Sequence, residues 1–468
     1  MKTTVASEAS TIIALLCLSF LCGTNAFIVK PSTISAGAAR FVRASSQPSI
    51  ADKKIMRAQL RMAVAIPSTI ATRSTDSVTD SVAIDLEGVH LSGLNGLALK
   101  PKTFPTKREV IDVVPKHCFV KDTWRSMKYA AISVSMTLVI GALAAVFLPL
   151  KLAVLPAWIA YSIVCGTVAT GAWVVAHECG HGAFSDNKTL QDSVGFVLHS
   201  ALMVPYFSWQ RSHAVHHANT NHMENGETHV PEVASVSPLA KQREISQKIF
   251  GKGLGTVVFG AMSVFNHLVV GWPAYLLFGA TGGPSRGMTS HFFPHPPFST
   301  GEKATDLYPG KWKQKVWLSN AGIAATLFAL AAWTAKAGVM RVAALYGGPL
   351  LVVNSWLVLI TWLQHTEVDV PHFDAANWNF IKGALHTVDR PYGRVLDFLH
   401  HRIGSTHVAH HVDCTIPHYH ALEATNAIKE AFPEHYLYDP TPLPQATWRL
   451  ATQCVGVEKR GDMHVFVN

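Results

Sequence analysis

Four apolar stretches constrain this chain before anything else: Tyr129 to Leu150, Leu152 to Ala176, Val316 to Trp333 and Val342 to Trp362. Each is long enough to cross about 30 Å of hydrocarbon, and the helix is the form in which a single segment there satisfies its own backbone hydrogen bonds. They read as two hairpins, one turning near Lys151 and the other between Lys336 and Arg341. Two further stretches are ambiguous: Ser193 to Phe207 is short, and Leu254 to Ala280 carries His267, Trp272 and Pro273. Composition agrees with a membrane protein, since 49% of the 468 residues are hydrophobic and only 15% are charged.

Charge gives the orientation. Lys116, Lys121, Arg125 and Lys128 precede the first span and Lys303, Lys311, Lys313 and Lys315 precede the third, whereas the hairpin tips carry little. Both hairpins therefore enter from one side and return to it, with the ambiguous stretches lying in the interface. Everything rich in histidine then falls on that positive, cytosolic or stromal side. The expected fold is an all-α integral membrane protein of two transmembrane hairpins, four spans in all, with a helical cap that holds a histidine-rich site. The net charge of +9 is spread among apolar spans and forms no basic module, so nucleic acid is not the expected partner. Cys17 and Cys22 lie in the N-terminal segment, and Cys118, Cys165, Cys179, Cys414 and Cys454 are scattered without a CxxC pair, which indicates neither a disulfide framework nor a thiolate metal site.

The N-terminus reads as an address. Lys2, the apolar run Thr11 to Cys22 and the small residues ending at Ala26 make residues 1–26 a signal peptide. Residues 27–75 hold eight Lys or Arg against one acid, Asp52, among many Ser, Thr and Ala. That is transit-peptide composition. The pair Ala26-Phe27 followed by such a stretch resembles the bipartite presequence of algae with secondary plastids, which implies a plastid destination, with the endoplasmic reticulum as the alternative. Residues 76–125 form a pre-membrane region and 126–468 the membrane domain.

Three histidine clusters carry the chemistry. His177-Glu178-Cys179-Gly180-His181 stands where the second span leaves the membrane, and on a helix positions i and i+4 share a face. His213-Ala214-Val215-His216-His217 and His407-Val408-Ala409-His410-His411 each place imidazoles at i, i+3 and i+4, so one short helix offers ligands to two adjacent metals. A single zinc takes about four ligands. Eight convergent imidazoles therefore point to two metals, with iron as the redox-active choice. His199, His267, His291, His295, His386, His400 and His401 read as interfacial or hydrogen-bonding residues. The first cluster also matches the zinc-protease pattern HExxH with Glu178 as general base, a reading that leaves both HxxHH clusters without a purpose.

Around these boxes the sequence resembles the integral-membrane fatty acid desaturases, in particular the acyl-lipid methyl-end group with the Δ12 (omega-6) and omega-3 enzymes. The likeness rests on His177 to Asp186, Pro205 to His217, Gly226 to Pro231, Trp362 to Thr366, Lys382 to Tyr392 and Gly404 to His420 with Ala424-Thr425. It implies a ninth metal ligand at His365. In acyl-CoA desaturases an Asn four residues before that histidine helps hold a metal through water; Thr361 stands there, so the role is not carried over. The HxxxH spacing of the first box argues against a stearoyl-CoA enzyme, and no His-Pro-Gly-Gly haem motif is present. Electrons must then come from a separate carrier, ferredoxin in a plastid or a b-type cytochrome in the endoplasmic reticulum.

The resemblance implies two non-haem irons that use O2 and two single-electron deliveries to remove two hydrogens from adjacent carbons of a membrane-lipid acyl chain, leaving water and a cis double bond. Position is expected to be set by a bent apolar channel entered from the bilayer. Glu178, Asp192, Asp389 and Asp413 are candidates for orienting the imidazoles. The same scaffold also serves hydroxylases and conjugases, and Δ12 and omega-3 outcomes stay open.

Overall fold

The computed structural model describes residues 88–300 and 307–467, which belong to one compact unit. The expected signal and transit segments and Lys303 lie outside the described residues. The first hairpin follows a short α1 (Lys107–Asp112) and consists of α2 (Thr123–Phe147) and α3 (Leu155–His181). Asp122 caps α2 by accepting from the Arg125 amide at 3.0 Å. Pro156 opens α3, where a missing N–H costs nothing, and Gly182 ends it directly after His181 with φ +77°, a conformation that favours glycine. Thus the first box closes the second span, as the sequence predicts.

Next come α4 (Lys188–Ala201), α5 (Tyr206–Ala218), α6 (Pro238–Phe250), α7 (Lys252–Phe265) and α8 (Gly271–Phe278), the last two joined by π-helical residues Asn266–Val270. A two-residue pair, β1 (Met288–Thr289) with β2 (Ser299–Thr300), is antiparallel. The second hairpin is α9 (Trp312–Ala337) and α10 (Val339–Val342), continuing through a π segment into α11 (Gly348–His365). The cap is completed by α12 (Phe380–Ala384), α13 (Gly393–Leu399), α14 (His407–Val412), α15 (His418–Ala431), α16 (Leu443–Gln453) and an antiparallel β3–β4 hairpin (Val457–Arg460, Met463–Phe466).

Among the described residues, five helices are long and apolar enough to cross a membrane, one more than the four expected spans. The fifth, Lys252–Phe278, covers the second ambiguous stretch. Both its ends rest on the cap. Gly260 packs so closely on Trp448 of α16 that a Cβ would meet the ring at 2.7 Å, and the Tyr275 hydroxyl lies 2.6 Å from that of Ser212 in α5. The chain that follows donates from Gly283 N to Gly226 O at 2.9 Å, just beyond the second box. These contacts hold the segment against the cap, an arrangement that keeps the number of crossings even. Periodicity could not separate this arrangement from a span, because length and apolarity are the same for both. The other ambiguous stretch falls largely on the 14-residue α4, which is too short to span.

The hairpins meet through small residues, as helices without a hydrophobic driving force between them do. A Cβ on Gly166 of α3 would lie 2.6 Å from the Pro349 carbonyl of α11, and one on Gly348 would collide with Ser162. Outward side chains of α2 and α9 such as Val146 and Phe328 are exposed, as a lipid-facing surface requires. Beneath the cap, Val110, Val114 and Cys118 pack with Val408, Val412, Ile416 and Ile428 into one apolar cluster.

A buried ionic knot fixes the end of α11. Arg390, fully buried, donates to Glu367 at 2.9 Å, to the Leu363 carbonyl at 2.7 Å and to Asp439. Arg449 donates to both carboxylates at 2.6 Å. Two cations against two anions leave the knot neutral, which is what makes its burial tolerable. Replacing Arg390 by Met strands two buried carboxylates on one partly exposed guanidinium and is expected to cost about 3–5 kcal/mol. Thermal unfolding in detergent, followed by tryptophan fluorescence, should show a larger loss for Arg390→Met than for Val457→Ala in β3.

Candidate metal centre

Four elements deliver the imidazoles: the end of α3 (His177, His181), α5 (His213, His216, His217), the end of α11 (His365) and α14 (His407, His410, His411). They sort into two groups. The ring nitrogens of His177, His181, His213, His217 and His410 lie within 4.8 Å of one another, as do those of His216, His365 and His411. His407 joins the second group, its Nε2 3.0 Å from that of His365. The groups adjoin, with the His217 and His411 rings stacked at 4.0 Å. Each HxxHH helix divides its rings between the two, as its spacing predicts, and all nine sequence-expected residues are brought together.

The separations have a chemical meaning. Nε2 atoms approach one another at 3.2 Å in the pairs His177–His181 and His213–His217, at 3.1 Å in His216–His365 and at 3.0 Å in His365–His407. Two nitrogens bound to one ion at about 2.0–2.1 Å lie roughly 3.0–3.4 Å apart at angles of about 90–109°. His365 cannot satisfy two such neighbours as a single donor or acceptor. Among the described residues, the buried His410 Nε2 and His411 Nε2 have no hydrogen-bond partner. Burial, reinforced by neighbouring imidazoles, holds His213, His217, His407, His410 and His411 well below the ordinary histidine pKa. Burial thus favours the neutral ring, the form that can offer a lone pair to a cation. Such a donor set suits two ions of the imidazole-binding class.

Around the rings, His411 Nδ1 lies 3.1 Å from the Thr220 hydroxyl, His407 Nδ1 lies 3.2 Å from the Ile403 carbonyl, and Trp209 stacks on His213 at 4.6 Å. None of the four acids expected to orient imidazoles bonds to a box ring. Glu178 accepts from the His418 amide at 2.9 Å and lies 3.1 Å from its ring, capping α15. Asp389 accepts from the Val408 amide at 2.9 Å, which fixes α14 rather than a ring, and is pushed up to about 6 by burial. Asp192 accepts from Tyr206 and Asp413 from Thr415. Such amide and hydroxyl donors compete with any imidazole for a carboxylate, and sequence spacing does not reveal the winner. Thr361 turns its hydroxyl to the Leu357 carbonyl of its own helix at 3.1 Å, in keeping with the role withheld from it.

Of the histidines read as structural, His199, His267, His386 and His400 lie within hydrogen-bond distance of backbone carbonyls and His401 of Ser133. Three residues went unnoticed in the sequence. The His229 ring stands 5.5 Å from that of His365. His418 holds Glu178, as above. Glu227, pushed up to about 7 by burial, accepts from Ser212 beside the second box. All three sit in quoted motifs, yet a lone His or Glu carries no spacing signal.

In this helical membrane protein the cap gathers nine imidazoles into two adjoining groups, each of which could hold a metal ion. The profile of the fatty acid desaturase family matches residues 152–441. A Delta(12)-fatty-acid desaturase of Vernicia fordii is 42% identical over 74% of this chain and 85% of its own, and that of Arabidopsis thaliana is 42% identical over 75% and 87%. An oleoyl-12-hydroxylase of Ricinus communis is 39% identical over 76% and 88%. The chain belongs to the fatty acid desaturase family and is a membrane oxidoreductase. The protease reading of HExxH falls with that, and with the engagement of Glu178 by His418.

Proposed function

We propose that the chain is a Δ12 acyl-lipid desaturase, introducing a cis double bond into a monounsaturated chain of membrane lipid, with the nine imidazoles as ligands of two irons. The observation that carries the reading is the division of those rings into groups of five and four. The names of the 42%-identical relatives favour Δ12 over omega-3. Two irons, when bound, supply with O2 and two electrons from a separate carrier the oxidising power that no side chain has.

The protein's share is ligation, shielding and placement. Trp173 and Trp209 flank His177 at 5.5 and 5.6 Å and keep water from that side of the first group. Two small cavities share His401 as a wall: one reaches His410 and Glu178, the other is lined by Ile132, Met136 and Val168 of the first hairpin. An acyl chain reaching the rings from the lipid side would have to widen these small cavities, which suits a substrate that never leaves the bilayer.

In a yeast lacking polyunsaturated lipids, the chain is expected to convert 18:1 to 18:2, and His177→Ala, His216→Ala, His365→Ala or His410→Ala to abolish product while the protein still reaches the membrane. A 12-hydroxylated product would instead align it with the Ricinus relative, and retained desaturation in all four variants would overturn the ligand assignment. Purified protein is expected to hold about two irons per chain, one for each group of rings. Stoichiometric loss of iron in His365→Ala, measured by atomic emission, checks the second group.

The destination we infer is a plastid, with ferredoxin as donor, because residues 1–75 combine a signal segment with a basic, hydroxylated stretch. A relative from Brassica juncea is named for the endoplasmic reticulum. A fluorescent protein placed behind residues 1–75 and expressed in an alga with secondary plastids should light the plastid; reticular fluorescence would refute the inference.

A further inference from the structure

Away from the boxes, four metal-ligating side chains converge on the cap. His117 and Cys118 are consecutive in the turn Lys116–Phe119, just before the first membrane helix, and His420 and Glu423 are one turn apart on α15. Their ligand atoms, two imidazole nitrogens, a sulfur and a carboxylate oxygen, all lie within 4.8 Å of one another. His117 Nε2 is 2.9 Å from Glu423 Oε2, and the His117 and His420 rings meet edge to face at 5.5 Å.

We propose that His117, Cys118, His420 and Glu423 form a zinc site that ties the segment entering the first membrane helix to the segment leaving the third histidine box. The donor set is of the structural type: one thiolate, two imidazoles and a carboxylate fill a tetrahedron and their two negative charges neutralise Zn²⁺. Donors at about 2.0–2.3 Å from such an ion stand roughly 3.3–3.8 Å apart, so rotation of the outer side chains brings the cluster to coordination distance. Those outer side chains are His117 and Glu423, which are 58% and 50% exposed, while Cys118 is buried in the apolar cluster below. The ion enters from solvent and meets sulfur at the floor. Binding displaces the thiol proton to water, and no redox step is involved.

An exposed His–carboxylate pair alone contributes at most about 1 kcal/mol, and the packing of Cys118 in the apolar cluster does not by itself bring a second imidazole to it. Residues 117 and 423 are 306 apart in sequence, so an ion here closes a long loop and holds α15, whose first residue grips Glu178 between two box histidines. The site is independent of the iron assignment, since none of its four residues belongs to either group of rings.

Sulfur makes the test specific, because the nine box imidazoles offer none. Iron-loaded full-length protein in detergent is titrated with zinc chloride, freed of excess, and measured at the zinc X-ray absorption edge. One zinc per chain with a Zn–S distance of about 2.3 Å is expected, and Cys118→Ser should lose both that scatterer and the bound zinc while iron stays constant. Zinc retained through nitrogen and oxygen alone, no zinc retained, or a sulfur scatterer that survives Cys118→Ser would each overturn the proposal. The spectrum of the unsubstituted protein decides even where a variant fails to fold.

Discussion

Nine buried imidazoles packed against one another pose a problem that hydrogen bonding cannot solve. Each ring has one donor and one acceptor, yet the Nε2 of His365 faces two others at 3.0 and 3.1 Å, and His410 in one group and His411 in the other carry unpartnered buried nitrogens. Protonating the rings would replace a shortage of partners by repulsion within a buried volume, where a charge is costly. The arrangement calls for cations, and the rest of the fold serves to make it. Gly182 stops α3 one residue beyond His181, the ionic knot about Arg390 pins the chain beyond His365, and Asp389 steadies the first turn of α14.

Much of this was legible beforehand, for reasons that can be stated residue by residue. A span must be about 20 apolar residues long because lipid has one thickness, so both hairpins and their turns near Lys151 and Gly338 could be read directly. The i, i+3, i+4 spacing of HxxHH forces its rings onto one helix face but not onto one ion, and the division of His213, His216 and His217 between groups follows. His365 was reached through resemblance alone. The course of Lys252–Phe278 stayed ambiguous because a helix lying along the cap and one crossing the bilayer share their apolar composition. The acids were misjudged for a different reason: Glu178 and Asp389 serve backbone amides of segments distant in sequence, and such partners exist only after folding.

Family and chemistry are separable here. The fold, the boxes and the relatives define a fatty acid desaturase, while a relative named as an oleoyl-12-hydroxylase in Ricinus is 39% identical to this chain. Outcome must then depend on how a methylene is presented to the centre rather than on how the centre is held. Neighbouring methylenes of one chain hardly differ in reactivity. Selection among them is therefore a matter of geometry.

The sharing of helices between the two groups has a consequence for assembly. Because α5 and α14 each contribute to both, turning either helix to suit one ion also sets the rings that face the other. Were each group to hold an ion, capture of a first would pre-order the second position, and the entropy of aligning the four elements would be lost once rather than twice. A two-ion centre built this way would fill cooperatively, with the singly loaded chain the least populated of its loading states.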